Sequence, residues 1–169
     1  MKLNLKELVT FSMLSAIILI SKLLLEAIPN FHLLAVFTIA MTVVYRQKAL
    51  YPIYLYVLLQ GVIAGFNPWW VIHLYIWTVL WGVVMLLPRK MKPVTATVVY
   101  TIVCALHGLS YGVLSSLSQA PIFGLSFIQM VIAGIPFDLI HAAHNLILGM
   151  VLIMPIIMVL RSADKYIRN

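Results

Sequence analysis

Basic residues divide this chain at regular intervals, and that spacing constrains the fold more than any motif does. Lys2 and Lys6 precede the first apolar run. Arg46 and Lys48 separate the second run from the third, and Arg89, Lys90 and Lys92 separate the fourth from the fifth. Arg161, Lys165 and Arg168 follow the last. The alternate connections, near 27–32, 66–69 and 117–126, hold no Lys or Arg. Lys and Arg accumulate on the cytoplasmic side of spanning segments. The pattern predicts an all-α membrane protein with six transmembrane helices and both termini cytoplasmic. The spans are placed at roughly 8–26, 32–46, 49–66, 70–87, 94–116 and 127–160. Lys22, inside the first span, is the one basic residue outside the alternation.

Composition agrees with this reading. The chain of 169 residues is 64% hydrophobic and 9% charged, too apolar for a soluble domain. A crossing of a ~30 Å hydrocarbon core takes about 20 residues. Six of them occupy most of residues 1–169 as a single integral domain and leave no room for a soluble catalytic one. The first run is too long to read as a cleaved signal peptide. The net charge of +7 is accounted for by the topology and calls for no nucleic-acid partner. It leaves the cytoplasmic face suited to anionic lipid or a protein partner. The one cysteine, Cys104, rules out an intrachain disulfide and a Cys cluster for zinc.

The last apolar stretch exceeds one crossing. Counting about 20 residues back from Arg161 puts its outer boundary near 138–141. Two readings follow: a separate short interfacial helix at 122–136 broken at Gly134 and Pro136, or one strongly tilted helix.

Ionisable groups within spans are functional candidates, because charge facing lipid is costly. On the last span, at about 100° per residue, His141 lies roughly 60° and Asn145 roughly 20° from Asp138. A carboxylate, an imidazole and an amide thus share one stripe and suit a small heteroaromatic or hydroxylated ligand. The same stripe also suits an interhelical hydrogen-bond network. The fourth span carries Trp70, His73, Trp77 and Trp81 within about 80° of arc. Trp77 and His73 are deep enough to stack on a planar ligand, and Trp69 and Trp70 fit an interfacial aromatic belt. The fifth span brings His107, Ser110, Tyr111 and Ser115 near one face, with Tyr111 the strongest ligand candidate. Lys22 and Glu26 sit at i,i+4 near the outer end of the first span. They either neutralise each other or border the pocket together with Asn30 and His32.

Asp138, His141 and His144 sweep around their helix and do not converge, so no metal site is expected. Gly-x-Ser-x-Gly, His-Glu-x-x-His and a Gly-rich phosphate loop are all missing, which argues against an enzyme. Gly61-x-x-x-Gly65 and Ser12-x-x-x-Ala16 have the spacing of close helix contacts.

The size, the six spans, the inside termini and the lack of an ATPase resemble the substrate-binding S component of an energy-coupling factor (ECF) vitamin transporter. The most specific stretch is Gly134–Asn145 (GIPFDLIHAAHN), similar to the last-span segment of many such proteins. The resemblance implies an S-component-like bundle that captures a vitamin from outside. It also implies a transmembrane coupling protein and two cytoplasmic ATPases, which carry ATP-Mg while this chain carries no cofactor. In that family, small residues on the first helix contact the coupling protein. Ser12 and Ala16 match that spacing, with Ser12 replacing the usual Ala. The general look resembles the members for hydroxymethylpyrimidine or pyridoxine, which implies a multi-pass protein of a bacterial plasma membrane. The alternative function is a stand-alone small secondary transporter or channel, a class that normally shows a repeat or a continuous polar pathway.

Overall fold

The structure, a computed structural model, describes residues 2–26 and 32–168, Arg168 through its backbone alone. Helix α1 spans Leu5–Leu24. Asn4 caps it: its side-chain oxygen accepts from the Glu7 amide at 2.8 Å, and its own amide donates to Glu7 Oε2 at 3.0 Å. That reciprocal pair satisfies donors a helix start leaves open. Helices α2 (Leu34–Tyr45) and α3 (Leu50–Ala64) are joined by the 3-10 turn Arg46–Ala49. Their 12 and 15 residues rise only about 18 and 22 Å, less than a ~30 Å membrane core. Helix α2 is apolar all round, and Ala35, Val36, Ile39, Ala40 and Met41 are fully buried. Such a helix belongs in the centre of a bundle, and α2 touches α4, α5 and α7.

A seven-residue 3-10 segment, Pro68–Leu74, leads into α4, Ile76–Leu86. Helix α5 runs Pro93–Leu109 and α6 runs Tyr111–Phe123, with Ser110 between them. Helix α7 is one continuous element, Phe127–Arg168, about 63 Å long. Among the described residues there is no strand. Four segments among the described residues are long and apolar enough to cross a membrane: Leu5–Leu24, Pro68–Leu86, Pro93–Phe123 and Phe127–Ile167.

Three expectations from the sequence change. Gly134 and Pro136 do not break the last segment: both lie inside α7, and the break falls at Gly124, a left-handed residue with φ +64°. A glycine takes that φ freely, so the stop sits there. The supposed connection at 117–126 is thereby mostly the end of α6. The Gly61–Gly65 spacing does not seat a neighbouring helix. A Cβ on Gly61 would lie 2.3 Å from the Phe66 ring and 2.8 Å from Trp70 Nε1. Gly65 ends α3 with φ +89°. Both glycines serve the reversal of the chain onto α3, where Trp70 Nε1 donates to the Val57 carbonyl at 2.8 Å. Lastly, the stripe expected on 70–87 assumed continuous α geometry. Its first turns are 3-10, so Trp70 turns toward α3.

The basic segments gather at one end. Lys48 pairs with Glu7, Lys6 Nζ lies 5.3 Å from the centre of the Tyr166 ring, and Arg46 donates to the Met85 carbonyl at 2.9 Å. Trp81 Nε1 donates to the Arg46 carbonyl at 3.0 Å. Arg46 itself has φ +55°, a strained conformation for a residue with a Cβ, costing ~1–3 kcal/mol.

Candidate functional site

At the opposite end a cavity of about 360 Å³ opens among α1, α3, the 3-10 segment and the neighbouring helices. Its walls come from separate elements, each for a local reason. Tyr56 and Gln60 are one turn apart on the buried face of α3. Trp69 and His73, both on the 3-10 segment, line the cavity with rings edge to face at 5.5 Å. Trp77, 2% exposed, stands in the first turn of α4. Tyr111 is the first residue of α6 and His141 looks in from α7. His32, just before α2, completes the lining.

The rings form a continuous aromatic wall. His32 meets His141 edge to face at 4.8 Å and Trp77 at 6.1 Å. Tyr111 lies 5.2 Å from His141, and His73 lies 6.3 Å from Trp77. Behind Trp77, at 5.4 Å, is His107, whose Nε2 is 3.3 Å from the Ile76 carbonyl oxygen. Among the described residues no three His, Cys, Asp or Glu side chains are placed to hold a metal ion together.

Five polar atoms on the cavity residues are buried with no hydrogen-bond partner in the protein: His32 Nδ1, Gln60 Oε1, His73 Nδ1, Trp77 Nε1 and His141 Nε2. A buried polar atom left unpaired costs ~1–3 kcal/mol. Native structures leave few such atoms, and five of those among the described residues belong to side chains lining this one hollow. The set comprises one acceptor (the Gln60 amide oxygen), one donor (the indole NH) and three imidazole nitrogens able to serve either way. Charge is confined to Lys22 and Glu26, which pair at 3.3 Å and cancel.

The structure brings His32, His73, Trp77, Tyr111 and His141 together around this cavity. It places two other predicted residues elsewhere. Asp138, 6% exposed, accepts from the Gly112 amide with both carboxylate oxygens at 2.9 and 3.0 Å, which caps the start of α6. Asn145 is fully buried and donates to the Cys104 carbonyl on α5 at 3.0 Å. These two bind α7 to its neighbours. Asn30 lies outside the described residues. Ser12 and Ala16 are exposed on the outer face of α1, whose opposite face buries Ser15 against the Pro52 carbonyl at 2.9 Å.

Sequence reasoning missed Tyr56 and Gln60. The available signal was Gln60 itself, an amide in a helix that is otherwise apolar or aromatic. A search restricted to ionisable groups passes over it. A second hollow, about 500 Å³, lies between α4 and α5 and is lined mainly by Val79, Val83, Val103 and Leu106. Its hydrocarbon walls suit lipid and offer a polar ligand little. No family model, curated protein or solved structure matches this chain.

Proposed function

We propose that this chain is a six-span membrane protein that captures a small, neutral, single-ring heteroaromatic molecule at its non-basic end. We further propose that it acts as the S component of an ECF-type importer. The cluster of unpartnered polar atoms on an aromatic wall carries the reading. A planar ring slots between Trp77 and the imidazoles, and its ring nitrogens and hydroxyls meet Gln60 Oε1, Trp77 Nε1 and the imidazole nitrogens. The volume of about 360 Å³ accommodates one substituted ring. The self-cancelling Lys22–Glu26 pair leaves no net charge for a dianion. Hydroxymethylpyrimidine and pyridoxine fit these terms.

Delivery falls to partners. Ile18, Ile39, Ile53, Ile76, Leu80 and Ile153 fill the layer between the cavity and the basic end and are buried to 1% exposure or less. That layer favours a capture subunit over a stand-alone channel, because these aliphatic side chains pack it tightly. Release then requires a coupling protein and two ATPases, with Ser12 and Ala16 offered on the exposed side of α1. The gathering of the basic segments at one end supports cytoplasmic termini.

Two experiments test the proposal. Purification from the native host should bring ATPase subunits with the chain, and native mass spectrometry should find a retained heteroaromatic. Copurification of neither, with a folded protein, contradicts the importer reading. Cysteines introduced at Ser126 and Lys90, both exposed, should label from opposite sides of intact cells. Cys104 is 0% exposed and will not interfere. Labelling of both positions from outside contradicts the topology.

A further inference from the structure

We propose that the cleft between the Arg46 turn and the end of α4 binds the phosphate headgroup of an anionic phospholipid. The cleft measures about 530 Å³ and opens at the basic end. Arg46, Lys48 and Arg89 supply three cations against the carboxylates of Glu7 and Asp164, leaving it net positive. Lys48 is occupied by Glu7, so recognition falls to the two arginines. Arg46 commits Nη2 to the Met85 carbonyl at 2.9 Å. Its Nε is buried and has no partner in the protein. A guanidinium edge left open in this way matches a phosphate oxygen, which accepts charge-assisted hydrogen bonds from it.

The backbone points the same way. Arg46 holds φ +55°, a region where glycine is the unstrained choice. Strained residues of this kind concentrate at ligand sites. The side chain is therefore retained at a position whose backbone disfavours it. The remaining wall decides the source of the phosphate. Val44, Tyr45 and Met85 give the cleft an apolar flank. A phospholipid covers that flank with the start of its acyl chain, whereas a free phosphate leaves it wet. On the topology proposed above, on which this inference rests, the cleft also lies at the end of the span-length helices where the anionic leaflet meets the protein.

The test uses purified protein in nanodiscs of phosphatidylcholine with and without phosphatidylglycerol. Retained phosphatidylglycerol is counted by native mass spectrometry, and thermal midpoints are read in parallel. Wild type should retain phosphatidylglycerol and melt higher in its presence. Arg46→Gly keeps the carbonyl that Trp81 needs and accepts the φ without strain. It should lower retention about tenfold, the scale of one charge-assisted bond, without lowering the midpoint in phosphatidylcholine alone. Arg89→Gln should act in the same direction, while the double variant Lys90→Gln/Lys92→Gln should keep retention near wild type. Unchanged retention in both arginine variants overturns the proposal. So does an equal loss in the Lys90/Lys92 variant, which would mean diffuse surface charge. Equal protection by inorganic phosphate would reassign the cleft to a free anion. A midpoint drop for Arg46→Gly in phosphatidylcholine would reassign Arg46 to a structural role.

Discussion

The two ends of this bundle handle buried polar groups in opposite ways. At the basic end polar groups close on one another within the protein, Lys48 on Glu7, Trp81 on the Arg46 carbonyl and Arg46 Nη2 on the Met85 carbonyl, with Arg46 Nε left unpaired. At the other end the chain buries three imidazoles, an indole NH and an amide oxygen around one hollow and gives them no partner. Folding could have filled that hollow with Leu and Ile, as it did in the layer beneath. Keeping polar atoms open at a cost of ~1–3 kcal/mol each is reasonable only if something else completes them. On the proposed reading, the contrast separates residues that hold the bundle together from residues kept for a ligand.

The same contrast runs along α7. Asp138 and Asn145 tie α7 to α6 and α5, and His141 faces the cavity. The largest effect is expected where that tie is tightest. A Cβ at Gly112 would stand 2.2 Å from Asp138 Oδ2. Gly112→Val should lose about 3 kcal/mol through overpacking and the displaced carboxylate, visible as a sharp drop in thermal midpoint in detergent. A midpoint within a degree of wild type would show that the α6–α7 contact is loose. Asp138→Ala should cost about 1.5–3 kcal/mol of stability, because the Gly112 amide loses a charged acceptor. Ligand affinity measured on the fraction that stays folded should shift little. If affinity collapses with stability unchanged, Asp138 belongs to the site after all. The smallest effect is expected at the mouth. Glu26 is largely exposed in its pair with Lys22, and such pairs contribute ~0–1 kcal/mol. Glu26→Gln should change affinity for a neutral ligand less than about fivefold, by the same titration.

Much of the bundle was legible in the sequence. The alternation of basic residues anticipated which segments meet at one end, because connections two helices apart fall at the same end of an up-and-down bundle. Helix boundaries were harder. The stop at Gly124 and the 3-10 start at Pro68 both depend on local backbone choices that hydropathy does not carry. Gly134 and Pro136 looked like breakers, yet Pro136 is accommodated within α7.

The site was half legible. His141, Trp77, Tyr111, His73 and His32 were found because aromatic and ionisable groups are conspicuous in apolar helices. Asp138 and Asn145 share a helical stripe with His141, but periodicity gives a side chain's direction and not what it meets. Asp138 meets the broken start of α6, and that break at Ser110 was not foreseen. Gln60 and Tyr56 stayed hidden because neither brings a charge into a helix that is otherwise apolar or aromatic.

The central claim is that the unpartnered atoms of the outer cavity hold a neutral heteroaromatic ring. The most direct test is calorimetric titration of the purified protein with hydroxymethylpyrimidine and with pyridoxine, using wild type, Gln60→Ala and His141→Ala. Wild type should bind at least one of the two. Each substitution should weaken that binding about ten- to a hundredfold, the effect of one lost hydrogen bond to a buried ligand atom. Thermal stability without ligand should be unchanged or raised, because each substitution removes an unsatisfied buried group. Binding equal to wild type in both variants, with the fold intact, would contradict the account and move the ligand out of this cavity.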